Sequence, residues 1–352
     1  MHRGERMIES RKKDHMEICL NEDVELEKNY WDDIEFYHHS APEIDFDDID
    51  IEIDFLDKGL KAPIMIAGMT GGYEGAENFN EKLAAVAEKM GIGFGVGSQR
   101  AALENREMRK SYETVSRYSP PIVMGNIGAP QLIHQKGSEP ISSAEANELL
   151  DMIEGDYLAV HFNYLQEAVQ PEGELKAKGV VNSLKELSSE IPTIAKETGA
   201  GVSTQTALTF QDAGVKAIDV GGKGGTSFSA VEHYRTQKDQ MKKISKNLWD
   251  WGIPTPVSIV ECRGSVSLPL IATGGIRNGI QIAKAIAFGA DIVGIAGGVL
   301  RAIDDDEITV EEYLERVIRE LKTVMFLLGC EDIEELLHAR KVVTGDLKNW
   351  IE

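Results

Sequence analysis

The sequence predicts an α/β protein, a (β/α)8 barrel with an N-terminal extension and an extra C-terminal helix. Three observations predict it. Short apolar runs recur at 63–67, 92–96, 121–125, 157–161, 192–196, 216–220, 268–273 and 291–296, and helical patterns fill most of the gaps. The residues that follow each run are polar or glycine-rich, as expected at the C-terminal mouth of a barrel. The chain length of 352 residues suits one barrel with additions better than a single small core.

Residues 1–60 precede the rhythm and read as an arm or cap. Asp and Glu alternate with Ile, Phe and Leu from Glu43 to Asp57, so this segment is expected to cover one barrel end, with short strands. Residues 61–352 read as the barrel with its C-terminal helices. Helical patterns at Glu77–Met90 and Gly279–Phe288 each stop at a glycine, Gly91 and Gly289. The final helix is signalled by Thr309 and Glu312, a capping-box pair. It continues in an apolar stripe of Leu314, Val317, Ile318, Leu321, Val324, Met325 and Leu328.

Composition narrows the partners. The net charge of -22 argues against nucleic acid and anionic membranes, but a local cluster of cations and backbone N–H groups still accommodates a phosphorylated small molecule. The three cysteines, Cys19, Cys262 and Cys330, are far apart and odd in number, so neither a disulfide framework nor a zinc site is expected. Met1 to Asp14 is charged, without the apolar core of a signal peptide. No run approaches the roughly 20 apolar residues of a membrane span. A cytoplasmic location is expected.

The strand ends carry the chemistry. After the fourth run, His161 and Asn163 share a face by the period of two, and Gln166 and Glu167 lie just beyond. One carboxylate among amides and an imidazole suits a polar substrate with a divalent cation such as Mg2+. Lys196 closes the fifth run and reads as a cation beside an electron-rich cofactor ring or a substrate anion, rather than a lysine snorkelling to the rim. The glycine-rich turns after the last two runs, at Gly274-Gly275 and Ala296-Gly297, match the usual barrel phosphate site. On composition alone Arg11-Lys12-Lys13-Asp14-His15 reads as a solvated charge run; the alternative is a basic flap over the barrel mouth that clamps a diphosphate.

Taken together and in order, the motifs strongly resemble the type 2, flavin-dependent isopentenyl-diphosphate isomerases. The residues that carry the likeness are Arg11-Lys12 with His15, the turn Ala67-Gly68-Met69-Thr70-Gly71-Gly72, Gly97-Ser98-Gln99-Arg100, Gly125-Asn126-Ile127-Gly128 and the stretch His161 to Glu174. Pro192 to Glu197, Gly224-Gly225-Thr226-Ser227, Trp251 to Thr255 and Thr273-Gly274-Gly275-Ile276-Arg277 complete it. Two positions depart from the family pattern: Phe228 stands where tryptophan is expected, and Gly298-Val299 where Pro-Phe is common.

The resemblance implies the conversion of isopentenyl diphosphate to dimethylallyl diphosphate in isoprenoid biosynthesis, with reduced FMN as acid and base, NADPH as reductant and Mg2+ on Glu167. It implies FMN contacts from Ala67, Gly68, Met69, Thr70, Ser98, Asn126 and Lys196 to the ring. Thr226, Gly274, Gly275, Ile276, Arg277, Ala296 and Gly297 are implied toward the phosphate. Arg11, Lys12, Ser98, Gln99, Arg100, Asn163 and Gln166 would bind substrate, and His161, Gln166 and Lys196 would be catalytic. A homo-tetramer or homo-octamer is implied as well. Two rival barrels read less well. A 2-hydroxy-acid oxidase would need a catalytic histidine with an arginine after the sixth or seventh strand, and His233 lacks that context. A barrel like inosine-monophosphate dehydrogenase would need a nucleophilic cysteine in a mobile loop, and Cys262 does not follow the expected glycines.

Overall fold

Eight parallel strands close into a barrel in the computed structural model, which describes residues 3–351 other than Thr70 and Glu74, with side chains from Arg11 onward. The described residues form twelve strands in all. Ile34–Phe36 (β1), Ile53–Phe55 (β2) and Lys58–Leu60 (β3) precede the barrel. Its staves are Ile64–Ile66 (β4), Gly93–Gly95 (β5), Val123–Gly128 (β6), Tyr157–Phe162 (β7), Thr193–Glu197 (β8), Ala217–Asp219 (β9), Leu270–Thr273 (β10) and Ile292–Ile295 (β11). Lys341–Val343 (β12) follows. β11 pairs with β4 and β9 with β10, so no barrel edge remains open. Every apolar run of the sequence overlaps one of these staves, and β6, β7 and β8 run past the C-terminal end of theirs by three, one and one residues.

The period of two sorts each stave into an outer and an inner row. Ile64, Phe94, Leu158, Val160, Ile218 and Val293 face outward into the main core beneath the helices. The inward residues form layers. At the N-terminal end Met65, Met124, Ile194, Ala217, Ile271 and Ile292 pack into a second apolar cluster. Two residues further along, the inner row becomes Ala67, Asn126, Lys196, Asp219, Thr273 and Gly294. The barrel is thus apolar at its base and polar at its mouth.

The arm covers both barrel ends, not one. The antiparallel hairpin β2–β3 closes the base, burying Phe55 and Leu60 against the lower layer. Its turn places Leu56 and Asp57 at φ 51° and 63°, the mirror-image turn that suits the twist of two strands. At the opposite end the helix Arg3–Asn21 lies across the mouth, contacting the helices Arg100–Glu104 and Phe228–Arg235. β1 pairs with β12, tying the arm to the C-terminal end of the chain.

The helix stops follow the sequence. Ala76–Met90 ends in left-handed Gly91, which returns its N–H to the Ala87 and Glu88 carbonyls. Thr309 and Glu312 form the expected capping box on Val310–Leu328, whose buried stripe includes Leu314, Val317, Leu321 and Met325. Among the described residues no helix is long and apolar enough to cross a membrane.

Candidate active site

The mouth of the barrel opens into a cavity of about 500 Å³, within the size range of small-molecule sites. The N-terminal helix roofs it with Arg11, Lys12 and His15. Lys12 is not solvated, contrary to the compositional reading of its run. Its Nζ donates to the carbonyls of Gly71 (2.7 Å) and Ser98 (2.6 Å) and to Tyr112 Oη (2.9 Å). Burial, with Arg11 beside it, pulls Lys12 down to about 7, while three acceptors in reach suit the ammonium form. Arg11 and Arg100 line the same wall, and Arg100 is held by Glu104 (2.6 Å) and Glu174 (2.8 Å).

Gln99 corrects the sequence reading. Its side chain is fully buried below the mouth, donating to Leu149 O (2.8 Å) and accepting from Asn126 N–H (3.0 Å). It braces the turn between β5 and β6, and its side chain does not reach a substrate. Its neighbours Ser98 and Arg100 do line the cavity. Thr70 lies outside the described residues.

The upper inner layer is a connected set. His161 donates from Nδ1 to Asn126 Oδ1 at 2.7 Å, across neighbouring staves. Burial and the Lys196 charge push its imidazole down to about 3, so the ring is neutral and keeps Nε2 as an acceptor. Lys196 Nζ donates to Asp219 Oδ2 at 2.6 Å, and Thr273 Oγ1 donates to Asp219 Oδ1 at 2.5 Å. Asp219, 3% exposed, was not singled out by motif, although its place two residues after Ala217 marks it as inward-facing.

On the far wall the short helix Tyr164–Val169 presents Gln166 and Glu167. Gln166 Nε2 donates to Glu232 Oε1 (3.2 Å). The same oxygen accepts from His15 Nε2 (2.9 Å), and Glu232 Oε2 accepts from Arg235 Nε (2.8 Å). Burial alone would raise the Glu232 carboxyl, but His15 and Arg235 hold it below the ordinary range. Sequence reasoning missed Glu232, a fully buried carboxylate in mid-helix with no motif around it. Glu167 accepts from Asn163 Nδ2 (3.0 Å), Gln170 Nε2 (2.6 Å) and the N–H of Glu174 (2.7 Å), and burial keeps its carboxyl raised. Asn163 Oδ1 is buried without a hydrogen-bond partner. Among the described residues no three His, Cys, Asp or Glu converge as a closed metal cage. One carboxylate with an unpartnered amide oxygen fits instead an open Mg2+ site completed by substrate oxygens and water.

The remaining wall suits a phosphate. Gly274 and Gly275 adopt φ 115° and 73°, a left-handed pair that L side chains disfavour. Ala296 caps the helix Gly297–Asp304, whose first N–H groups are free to meet an anion. Thr226, Ile276, Arg277 and Arg301 complete that wall. The departure at Gly298 has a steric cause: a Cβ there would come 1.9 Å from Tyr313 Oη, which donates to Arg277 O. Ala67, Gly68 and Met69, at the end of the stave paired with β11, line the cavity beside this wall. Glycine-rich phosphate donors, Lys196 and this apolar turn together fit a flavin nucleotide.

The rival constellations are not assembled. His233 lies outside the cavity lining, with Nδ1 donating to Lys242 O and its ring against Trp249. Cys262 is buried within the helix Thr255–Arg263, and burial pushes its thiol up to about 12.

Comparison with known proteins agrees with this geometry. A model of the FMN-dependent dehydrogenase family matches residues 101–343. Isopentenyl-diphosphate delta-isomerase of Thermoplasma acidophilum is 45% identical over 349 residues, spanning 98% of this chain and 99% of that protein. The proteins of the same name from Archaeoglobus fulgidus and Pyrococcus horikoshii are 46% and 45% identical, covering 98% and 94% of their lengths and 97% of this chain. A mandelate oxidase variant carrying a monooxide FMN adduct superposes with a TM-score of 0.60 at 16% identity, covering 89% of each chain, a likeness of fold alone. The barrel, its phosphate wall and these near-full-length likenesses place the chain in the type 2, FMN-dependent isopentenyl-diphosphate delta-isomerase family.

Proposed function

We propose that this protein converts isopentenyl diphosphate to dimethylallyl diphosphate by a 1,3-proton shift without net redox change, as a cytoplasmic homo-tetramer or homo-octamer. The observation that supports the reading is one cavity lined by the glycine-rich turns after β10 and β11, by Glu167 beside the unpartnered Asn163 Oδ1, and by Arg11 of the roof with Arg100 of the wall below it. An unactivated alkene is a poor base, so its protonation needs a well-placed acid. Reduced FMN, kept so by NADPH, supplies that acid and its conjugate base when bound.

The protein's own residues bind and orient. Ala67, Gly68, Met69, Thr70, Ser98 and Asn126 would hold the ring, with the Lys196 ammonium offsetting its negative charge. Thr226, Gly274, Gly275, Ile276, Arg277, Ala296 and Gly297 would hold its phosphate. Arg11, Lys12 and Arg100, with Ser98 and Asn163, would neutralise the substrate diphosphate, aided by Mg2+ on Glu167 and the Asn163 amide oxygen. Neutral His161 and Gln166 flank the hydrocarbon end; neither carries an acidic proton at neutral pH, so their work is to fix the substrate and exclude water. The 1–60 arm supplies the roof, and the barrel at 61–352 the floor.

An anaerobic NMR assay in deuterated buffer tests this, with FMN, Mg2+ and isopentenyl diphosphate, with and without flavin reduction. Dimethylallyl diphosphate carrying deuterium, formed only after reduction, is the expected result. Bound FMN without conversion in either state would sink the reading.

A further inference from the structure

Arg277 and Arg301, the two arginines of the phosphate wall, are already engaged. After the N-terminal helix the chain runs as a strap along the cavity rim, paired backbone to backbone with the loop that carries Thr226. Leu26 N–H donates to Gly225 O (3.3 Å) and Ser227 N–H to Val24 O (2.8 Å), while Val24 is buried with Ala230 and Val231. This pairing sets Glu25 opposite Thr226. Its Oε2 accepts from Arg277 Nη2 at 2.7 Å and its Oε1 from Arg301 Nη1 at 2.8 Å.

We propose that Glu25 is a displaceable counter-ion: its carboxylate occupies the two arginines of the phosphate wall and so weakens the protein's hold on a phosphate monoester. This rests on the FMN reading of the cavity. The two arginines differ in what else holds them. Arg277 also donates to Gly275 O (2.6 Å) and Gly224 O (3.0 Å), so it stays in place without Glu25. Arg301 rides the first turns of Gly297–Asp304, and a Cβ on Gly297 would lie 3.7 Å from its guanidinium nitrogens. It therefore stands beside the free N–H groups of that helix, drawn across them by Glu25. The carboxylate is a third exposed and Arg301 about half exposed, so the triad sits at the rim, where water can take over the Glu25 carboxylate once an anion displaces it while the strap stays paired. Two guanidiniums and one carboxylate sum to one positive charge; without the carboxylate the wall meets an incoming dianion with two.

The test strips flavin from the protein and titrates FMN and riboflavin, which lacks the phosphate, by quenching of flavin fluorescence. Removing one negative charge at a half-exposed rim is worth about tenfold in the affinity for a dianion. E25Q is expected to bind FMN about tenfold more tightly and riboflavin unchanged, with the gap shrinking as salt rises. E25D keeps the charge and is expected to follow the wild type. R301Q is expected to lose most of the preference for FMN over riboflavin. FMN affinity unchanged or weakened in E25Q, or both flavins shifted by one factor, would overturn the proposal and leave the strap a structural brace. A wild-type protein that does not prefer FMN to riboflavin would overturn the FMN reading itself, a result distinct from an unresponsive E25Q.

Discussion

Glu232→Gln is the sharpest perturbation the site offers. The substitution keeps shape and removes one charge. In the wild type both carboxylate oxygens accept: Oε1 from Gln166 and His15, Oε2 from Arg235. A glutamine has one acceptor oxygen. If that oxygen faces Arg235, its NH2 points at the Gln166 NH2, a donor–donor clash. Turning Gln166 over relieves it but takes away the oxygen that accepts from Asn163 Nδ2 at 3.2 Å. The opposite orientation keeps the Gln166 and His15 bonds but turns the new NH2 on Arg235 Nε, so one partner of Glu232, Gln166 or Arg235, is misdirected either way. Losing charge-assisted bonds at a fully buried carboxylate costs about 2–4 kcal/mol of stability. A misaligned substrate-facing group costs on the order of 100-fold in kcat. The pH dependence carries a sign. The folded Glu232 carboxyl lies below its ordinary value of 4.5, so its contribution is fully present above that value and is lost as pH falls through the lower folded value. Urea unfolding at several pH values, beside steady-state kinetics, reads both effects. The variant should lose stability at neutral pH and show a shallower acid limb than the wild type. Unchanged kcat with an unchanged acid limb would refute the argument that Glu232 positions Gln166.

Three further outcomes follow from the same layers. Asp219→Asn leaves the Lys196 ammonium uncompensated, so the midpoint potential of bound flavin should rise by about 20–40 mV; a fall, or no change, counts against Lys196 lying beside the ring. Glu167→Gln keeps the hydrogen-bonded frame around Asn163 but removes the one carboxylate of the cation site, and should raise the Mg2+ concentration for half-maximal activity about 100-fold; an unaltered Mg2+ dependence would place the metal elsewhere. Phe55→Ala empties the base plug and should cost about 3–5 kcal/mol in denaturant unfolding, while activity per folded molecule stays near the wild type; a cost below about 1 kcal/mol would mean the hairpin is not integral to the core.

The staves were legible because β-strands buried on both faces read as continuous apolar runs, and the helix ends because Gly91 and the Thr309–Glu312 pair act locally. β6 runs longer than its apolar run suggests: the run stops at Gly125, yet the ladder continues as far as Gly128 opposite His161, which is why Asn126 lies within a strand. The hairpin turn at Leu56-Asp57 lacks the Asn-Gly signal of its turn type, so its register could not be read. Gln99 was misassigned because a motif says which residues adjoin a site and not which way each side chain turns; Ser98 and Arg100 face the cavity and the residue between them faces the core. The burial of Lys12, whose run reads as solvated on composition alone, and the place of Glu232 were out of reach for a related reason. Their partners, Gly71, Ser98 and Tyr112 for one and His15, Gln166 and Arg235 for the other, are in large part remote in sequence, and no local pattern encodes a long-range contact.

The inner rows show why fold and site rise from one pattern. Met124, Ile194, Ala217, Ile271 and Ile292 lie two residues before Asn126, Lys196, Asp219, Thr273 and Gly294. Burial of the first set fixes each stave's register, since a slip of one residue would turn its apolar side chains out of the base. The same slip would drive Lys196 and Asp219 into the apolar shell beneath the helices, where an unpaired charge costs several kcal/mol. Register errors are thus penalised twice, once at each layer. The polar mouth inherits the precision of the apolar base: the Lys196–Asp219–Thr273 and His161–Asn126 contacts are set before any ligand arrives, and preorganisation of that kind is what an active site requires of its scaffold.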